Sequence, residues 1–148
     1  MSRFKFRLET NLRLAEQALE AAQREFAQEE RRWQECVRTS ALQQERFNQA
    51  EEGQRDAGRH QPEELGIWQI FTSEQRRRLR QCEDEQRAQE LVREDARRLL
   101  LETHREVEKF RRLKEKQAKE FKWAELLKEQ KLLDETGQIL YWRQENSI

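Results

Sequence analysis

Breakers are scarce in this chain. One proline and four glycines serve 148 residues, and the stretch GRHQPEELG (58–66) holds the proline and two of the glycines. Apolar residues are also few, 34% against 41% charged, which is too little to fill one round interior. Net charge of one sign is missing, since 30 basic residues balance 30 acidic ones. That removes the general attraction to nucleic acid or anionic lipid that an excess of Lys and Arg would supply. No apolar run approaches the ~20 residues needed to cross a bilayer, and the start MSRFKFRLETNLRL has no signal-peptide core, so a cytoplasmic protein without a transmembrane segment is expected. The two cysteines, Cys36 and Cys82, make no disulfide framework. With His60 and His104 they have no metal-ligand spacing, so no metal is expected.

What is present is helical. Glu, Arg, Leu, Gln and Ala dominate, and the four tryptophans with zero net charge argue against disorder. From Leu8 the apolar positions step by four and three: Leu12, Ala15, Leu19, Ala22, Phe26, then past Glu29 to Trp33 and Cys36. The same register extends through Ser40, Gln43, Phe47 and Ala50. A seven-residue apolar repeat is the signature of a coiled coil. A second, weaker seam runs from Ile67, Trp68 and Phe71 through Cys82, Val92, Ala96, Leu99, Phe110, Leu113, Ala124 and Leu127. Gln75, Arg78, Glu85 and Gln89 interrupt it, while Leu79, Leu91, Leu100 and Val107 fall beside it. Acid-to-base pairs four residues apart, such as Glu9 and Arg13, Glu74 and Arg78, Glu83 and Arg87, and Glu108 and Arg112, support helices by ~0.2 to 0.5 kcal/mol each.

Gly58 is expected to cap the first helix in a left-handed conformation, Pro62 to stop it, and Gly66 to loosen the chain before the next apolar run. The expected fold is therefore all-α: one elongated domain over 1–148, a long antiparallel two-helix coiled-coil hairpin. Helix one covers about 4–57, the turn about 58–66, and a longer helix two about 67–144. At 1.5 Å per residue the helices span ~80 and ~115 Å, so the last ~25 residues are left without a partner helix. That overhang carries Phe121, Trp123, Leu126, Leu127, Leu132, Leu133, Ile139, Leu140, Tyr141 and Trp142, and is a candidate binding surface. Packing on Phe4 and Phe6, or on a second copy, is the structural alternative. With two imperfect seams the register is open, and so is whether Cys36 meets Cys82; folding at 62 or 63 puts Cys36 nearer Gln89.

Arg76, Arg77, Arg78 and Arg80 form the densest basic cluster, and 105–122 is basic-rich. Both read first as solvated coil faces, with an acidic partner patch as the functional alternative. His104 belongs to no triad, and there is no phosphate loop, so neither catalytic residues nor a cofactor are expected.

Three segments carry a family resemblance. FKFRLETNLRL resembles the F-x-F-R-L-x-x-L-L-x-L opening of the flagellar export protein FliJ family, through Phe4, Phe6, Arg7, Leu8, Leu12 and Leu14; Asn11 departs from it. WQIF is similar to the family's Tyr-Gln-Gln-Phe segment through Trp68, Gln69 and Phe71. EKQAKEFKWAELLKEQKLLDE is similar to its charged tail, ending here in Leu133, Asp134 and Glu135. The equivalent stalk protein of injectisome-type systems is a related reading, and the phenylalanine-rich opening favours the flagellar one.

The resemblance implies a soluble, non-enzymatic component of the flagellar type III export apparatus, peripheral to the inner face of the cell membrane at the flagellar base. It would be monomeric when free and stand in the centre of the hexameric export ATPase ring, promoting its assembly and hydrolysis. It would also link the ring to the membrane export gate and to export chaperones. Two helices form a rod roughly 20 Å across, thin enough for a ring pore. The implied ring contacts are Phe4, Phe6, Arg7, Leu8, Phe121, Trp123, Leu126, Leu127, Leu132 and Leu133; the implied gate contacts are Trp68 and Phe71, with Gln75 and Arg78 departing from the apolar residues expected after them. The alternatives are a homodimeric coiled-coil tether and an export chaperone holding clients on the apolar tail.

Overall fold

The computed structural model describes residues 2–147. Two long helices account for nearly all of it: α1, Glu9–His60, and α2, Leu65–Asn146, of 52 and 82 residues. They pack on each other as a hairpin, and there are no strands among the described residues. The described chain forms two compact units, Leu19–Thr103 and Met1–Ala18 with His104–Ile148.

Within the first of these units, the connection is tighter than the turn expected from glycine. α1 runs straight through Gly58, and no glycine has a positive φ, so the left-handed cap expected there does not form. Proline makes the break instead. Gln61, which precedes it, is pushed out of helical geometry to φ −140° and ψ 66°. Its N–H still reaches the Ala57 carbonyl at 2.9 Å, and Pro62–Glu64 forms a single 3-10 turn that leads into α2. Pro62 suits that place because its missing N–H is not needed in a first turn.

The first seam is buried or half-buried at every position from Leu8 to Ala50. The second seam departs from the apolar pattern. Ile67, Phe71, Val92 and Leu99 are exposed, whereas Thr72, Gln75, Leu79 and Ala96 are buried and Cys82, Gln86, Gln89, Arg93 and Leu100 half-buried. The steps remain three and four, but the seam passes through the glutamines that looked like interruptions. Those polar groups find partners on α1. Gln43 Nε2 donates to Gln75 Oε1 at 2.7 Å and to its carbonyl at 3.2 Å, and Gln89 Nε2 donates to the carboxylate and carbonyl of Glu29. The Thr72 hydroxyl donates to the Ala50 carbonyl at 3.2 Å. A buried amide that keeps its hydrogen bonds avoids the desolvation penalty, so these layers hold and also set the register.

That register answers the open question. With Gln43 facing Gln75 and Glu29 facing Gln89, one heptad from each layer leads to Cys36 and Cys82, which line one cavity. Trp33 packs on α2 as its seam position implies, with the Arg93 guanidinium 4.4 Å above its ring; Arg93 also pairs with Glu30.

In the other unit, α1 begins at Glu9, whose N–H bonds to the Phe6 carbonyl at 3.2 Å, so residues 2–6 precede the helix. Phe4 and Phe6 are two apart, a spacing that suits non-helical chain better than one face of a helix. Phe6 is buried, and Phe4 packs on Phe121 with ring centroids 5.7 Å apart. Lys114 pairs with Glu9 at 2.9 Å and Arg111 with Glu16 at 3.4 Å. Val107, with no accessible surface, is the best-enclosed side chain.

Candidate partner-binding surfaces

The expected ring contacts separate into two kinds. Phe6 is buried and Phe4, Leu8 and Phe121 are half-buried, with Phe4 packed on Phe121, so these side chains help to build the unit; Arg7 is exposed. Ser2 Oγ donates to Glu125 Oε1 at 2.9 Å, and from Leu126 to Ser147 every residue of α2 and its end is exposed. Trp123, Leu126, Leu127, Leu132 and Leu133 therefore remain available, the last at 71% exposure. Ile139, Leu140, Tyr141 and Trp142 extend the same apolar segment.

The segment is apolar on several sides. At about 100° per residue, Leu126, Leu133 and Leu140 share one side of the helix, Leu132 and Ile139 another, and Trp123 and Tyr141 a third. A helix that serves only as a surface carries one stripe. This distribution fits a helix that is enclosed.

At the start of α2 the geometry divides the WQIF segment. The Trp68 ring lies against α1 at Gly53, where an added Cβ would collide with it, and is half-buried. Phe71 meets Trp68 edge-on, with centroids 5.9 Å apart, and is 47% exposed. Ile67 and Ile70 are more exposed than Phe71, and their spacing of three and four residues groups all three on one face. Ile70 was missed as a contact because the motif comparison considers only matching positions. Gly53 was also missed, although a glycine inside an otherwise unbroken helix costs about 1 kcal/mol and signals a close approach. A cavity of about 440 Å³ beside Phe71 is lined in part by Arg46, Gln75 and Arg78.

The basic clusters are not alike. In the first, Arg77 and Arg78 bind Glu74 at 2.6 and 3.3 Å, and Arg76 lies 5.5 Å over the Phe47 ring. Arg77, chiefly through its hydrogen bond, holds the Glu74 carboxyl below its ordinary range. Three of the four arginines in this cluster therefore have partners within the hairpin. In the second, Glu108 turns to Arg111 at 3.7 Å and not to Arg112, while His104, Arg105, Lys109, Arg112 and Lys116 line an open groove of about 720 Å³.

Among the described residues no helix is long and apolar enough to cross a membrane, and no three or more His, Cys, Asp or Glu side chains gather as a metal site. The family described as "Flagellar FliJ protein" matches residues 4–146 of the chain. No curated protein and no solved structure matches it.

Proposed function

The chain belongs to the flagellar FliJ family, and from that premise we propose that it is a non-enzymatic stalk of the flagellar type III export apparatus. Its α2 end, from Trp123 to Trp142, inserts into the central opening of the export ATPase ring. The observation that carries this reading is the apolar surface on several sides of a helix whose last residues are all exposed. An opening surrounded by subunits covers such a helix all round, which a flat docking face would not do. One helix end cannot make equal contacts with six similar subunits, so it favours closure at one interface and promotes ring assembly and hydrolysis.

Ile67, Ile70 and Phe71, at the start of α2, are the proposed contact with the membrane export gate, and export chaperones are further partners. The protein acts at the inner face of the membrane at the flagellar base. The α1 seam is already covered by α2 within Leu19–Thr103, which supports a monomer over a homodimeric tether.

The test is ATP hydrolysis by the cognate export ATPase, titrated with the full chain and with a chain ending at Glu125. Stopping there keeps the Phe4–Phe121 and Ser2–Glu125 contacts. Stimulation by the full chain alone is expected. Equal stimulation by both would move the contact off the α2 end, and no stimulation by either, with client binding retained, would favour the chaperone reading.

A further inference from the structure

Cys36 and Cys82 are far apart in sequence, yet they occupy facing positions in the hairpin core. The layers on either side are tied by Gln43 to Gln75 and by Gln89 to Glu29, and each cysteine lies one heptad from both. Both are free and half-buried, and both line a solvent-connected cavity of about 310 Å³ with Arg32, Glu35, Glu85 and Gln89. A cysteine on a helix seam ordinarily serves as a small apolar side chain. Two that face each other beside a void open to solvent can also react with each other.

We propose that Cys36 and Cys82 are an intrachain cross-linking site, at which a small disulfide of the glutathione class oxidises the two thiols to one disulfide joining α1 to α2. One protein thiolate attacks the small disulfide, forming a mixed disulfide and releasing one small thiol. The second protein thiolate then attacks the protein-side sulfur, the mixed bond breaks, and a second small thiol leaves. The two protons lost from the cysteines end on the two released thiols, and the two electrons reduce the oxidant. Burial pushes the Cys82 thiol up, with Glu85, Cys36 and Glu83 adding to the effect, so the reaction quickens as pH rises. The bond closes residues 36–82 into a covalent loop and adds a covalent tie to the register that the Gln43–Gln75 and Glu29–Gln89 layers help to hold. It does not depend on the export reading.

The experiment treats the reduced full-length protein with oxidised glutathione at pH 8 and follows mass, non-reducing peptide maps and thermal melting. The expected product is a monomer lighter by the two thiol hydrogens, with a peptide linking Cys36 to Cys82 and no retained glutathione. It should melt roughly 5 to 15 °C above the reduced chain. Cys36→Ser and Cys82→Ser should each stop at a single glutathione adduct. A stable adduct on the unmodified sequence, linkage only between chains, or no change in mass would each overturn the proposal.

Discussion

Gly53 shows how a single missing methyl group sets a contact. A Cβ there would stand less than 3.0 Å from the nearest atom of the Trp68 ring, so Gly53→Ala has to displace an indole that also meets Phe71. Overpacking costs ~1 to 3 kcal/mol, against ~1 kcal/mol gained in helix propensity. Urea unfolding should therefore show a net loss of stability; a gain would mean that the ring swings away freely. Val107 poses the opposite problem, because it has no accessible surface and Val107→Ala leaves a cavity. A loss of about 1 to 3 kcal/mol is expected in the same measurement. At Cys82, burial keeps the thiolate scarce near neutral pH. In Cys36→Ser protein, iodoacetamide should alkylate Cys82 more slowly than free glutathione at pH 7, with the gap closing as pH rises; equal rates at pH 7 would contradict the burial effect.

At the scale of the element, the α2 seam depends on which polar residues have partners. Gln75 and Gln89 are tolerated inside the hairpin because α1 offers Gln43 and Glu29 at matching heights. Gln75→Leu alone leaves the Gln43 amide with only its 3.2 Å bond to the residue 75 carbonyl and should cost ~0.5 to 1.5 kcal/mol, whereas Gln43→Leu with Gln75→Leu should recover most of that or exceed the original stability. A double-mutant cycle by denaturant unfolding checks this, and additive losses would mean the two amides do not interact. The charged face follows a different rule. Glu74 keeps its expected partner Arg78 at 3.3 Å, but Glu9 leaves Arg13 for Lys114, and Glu108 takes Arg111 at 3.7 Å. Exposed pairs at three, at four and across the hairpin differ by only a few tenths of a kcal/mol, so local geometry chooses among them.

For the whole molecule, the helix lengths are unequal: α2 has 30 residues more than α1 (82 − 52), and its end carries apolar side chains that no described residue covers. Replacing Leu126, Leu127, Leu132 and Leu133 by serine removes apolar surface without removing any buried contact, because all four are exposed. The variant should keep the helical circular dichroism signal and melting temperature of the parent while losing pull-down by the export ATPase. Normal pull-down by a folded variant would overturn the ring assignment. Sedimentation of the free protein should give one chain of 18.2 kDa, and a stable dimer would favour the tether.

The amino-acid sequence by itself determined two long helices, their reversal near the single proline, the α1 seam and the uncovered α2 end. Each is written in local spacing: apolar residues at three and four, a residue that cannot continue a helix, and a difference in length. The sequence opening was legible as apolar, with packing against the α2 end as one reading of it; the folded chain sets Phe4 against Phe121 and buries Phe6. The α2 seam was also decided by the tertiary structure, since a glutamine reads as solvent-facing until a partner amide or carboxylate is set opposite it. The Cys36–Cys82 layer followed from that register. Burial of a polar or reactive group depends on what the other helix presents at the same height, and no pattern within one helix records it.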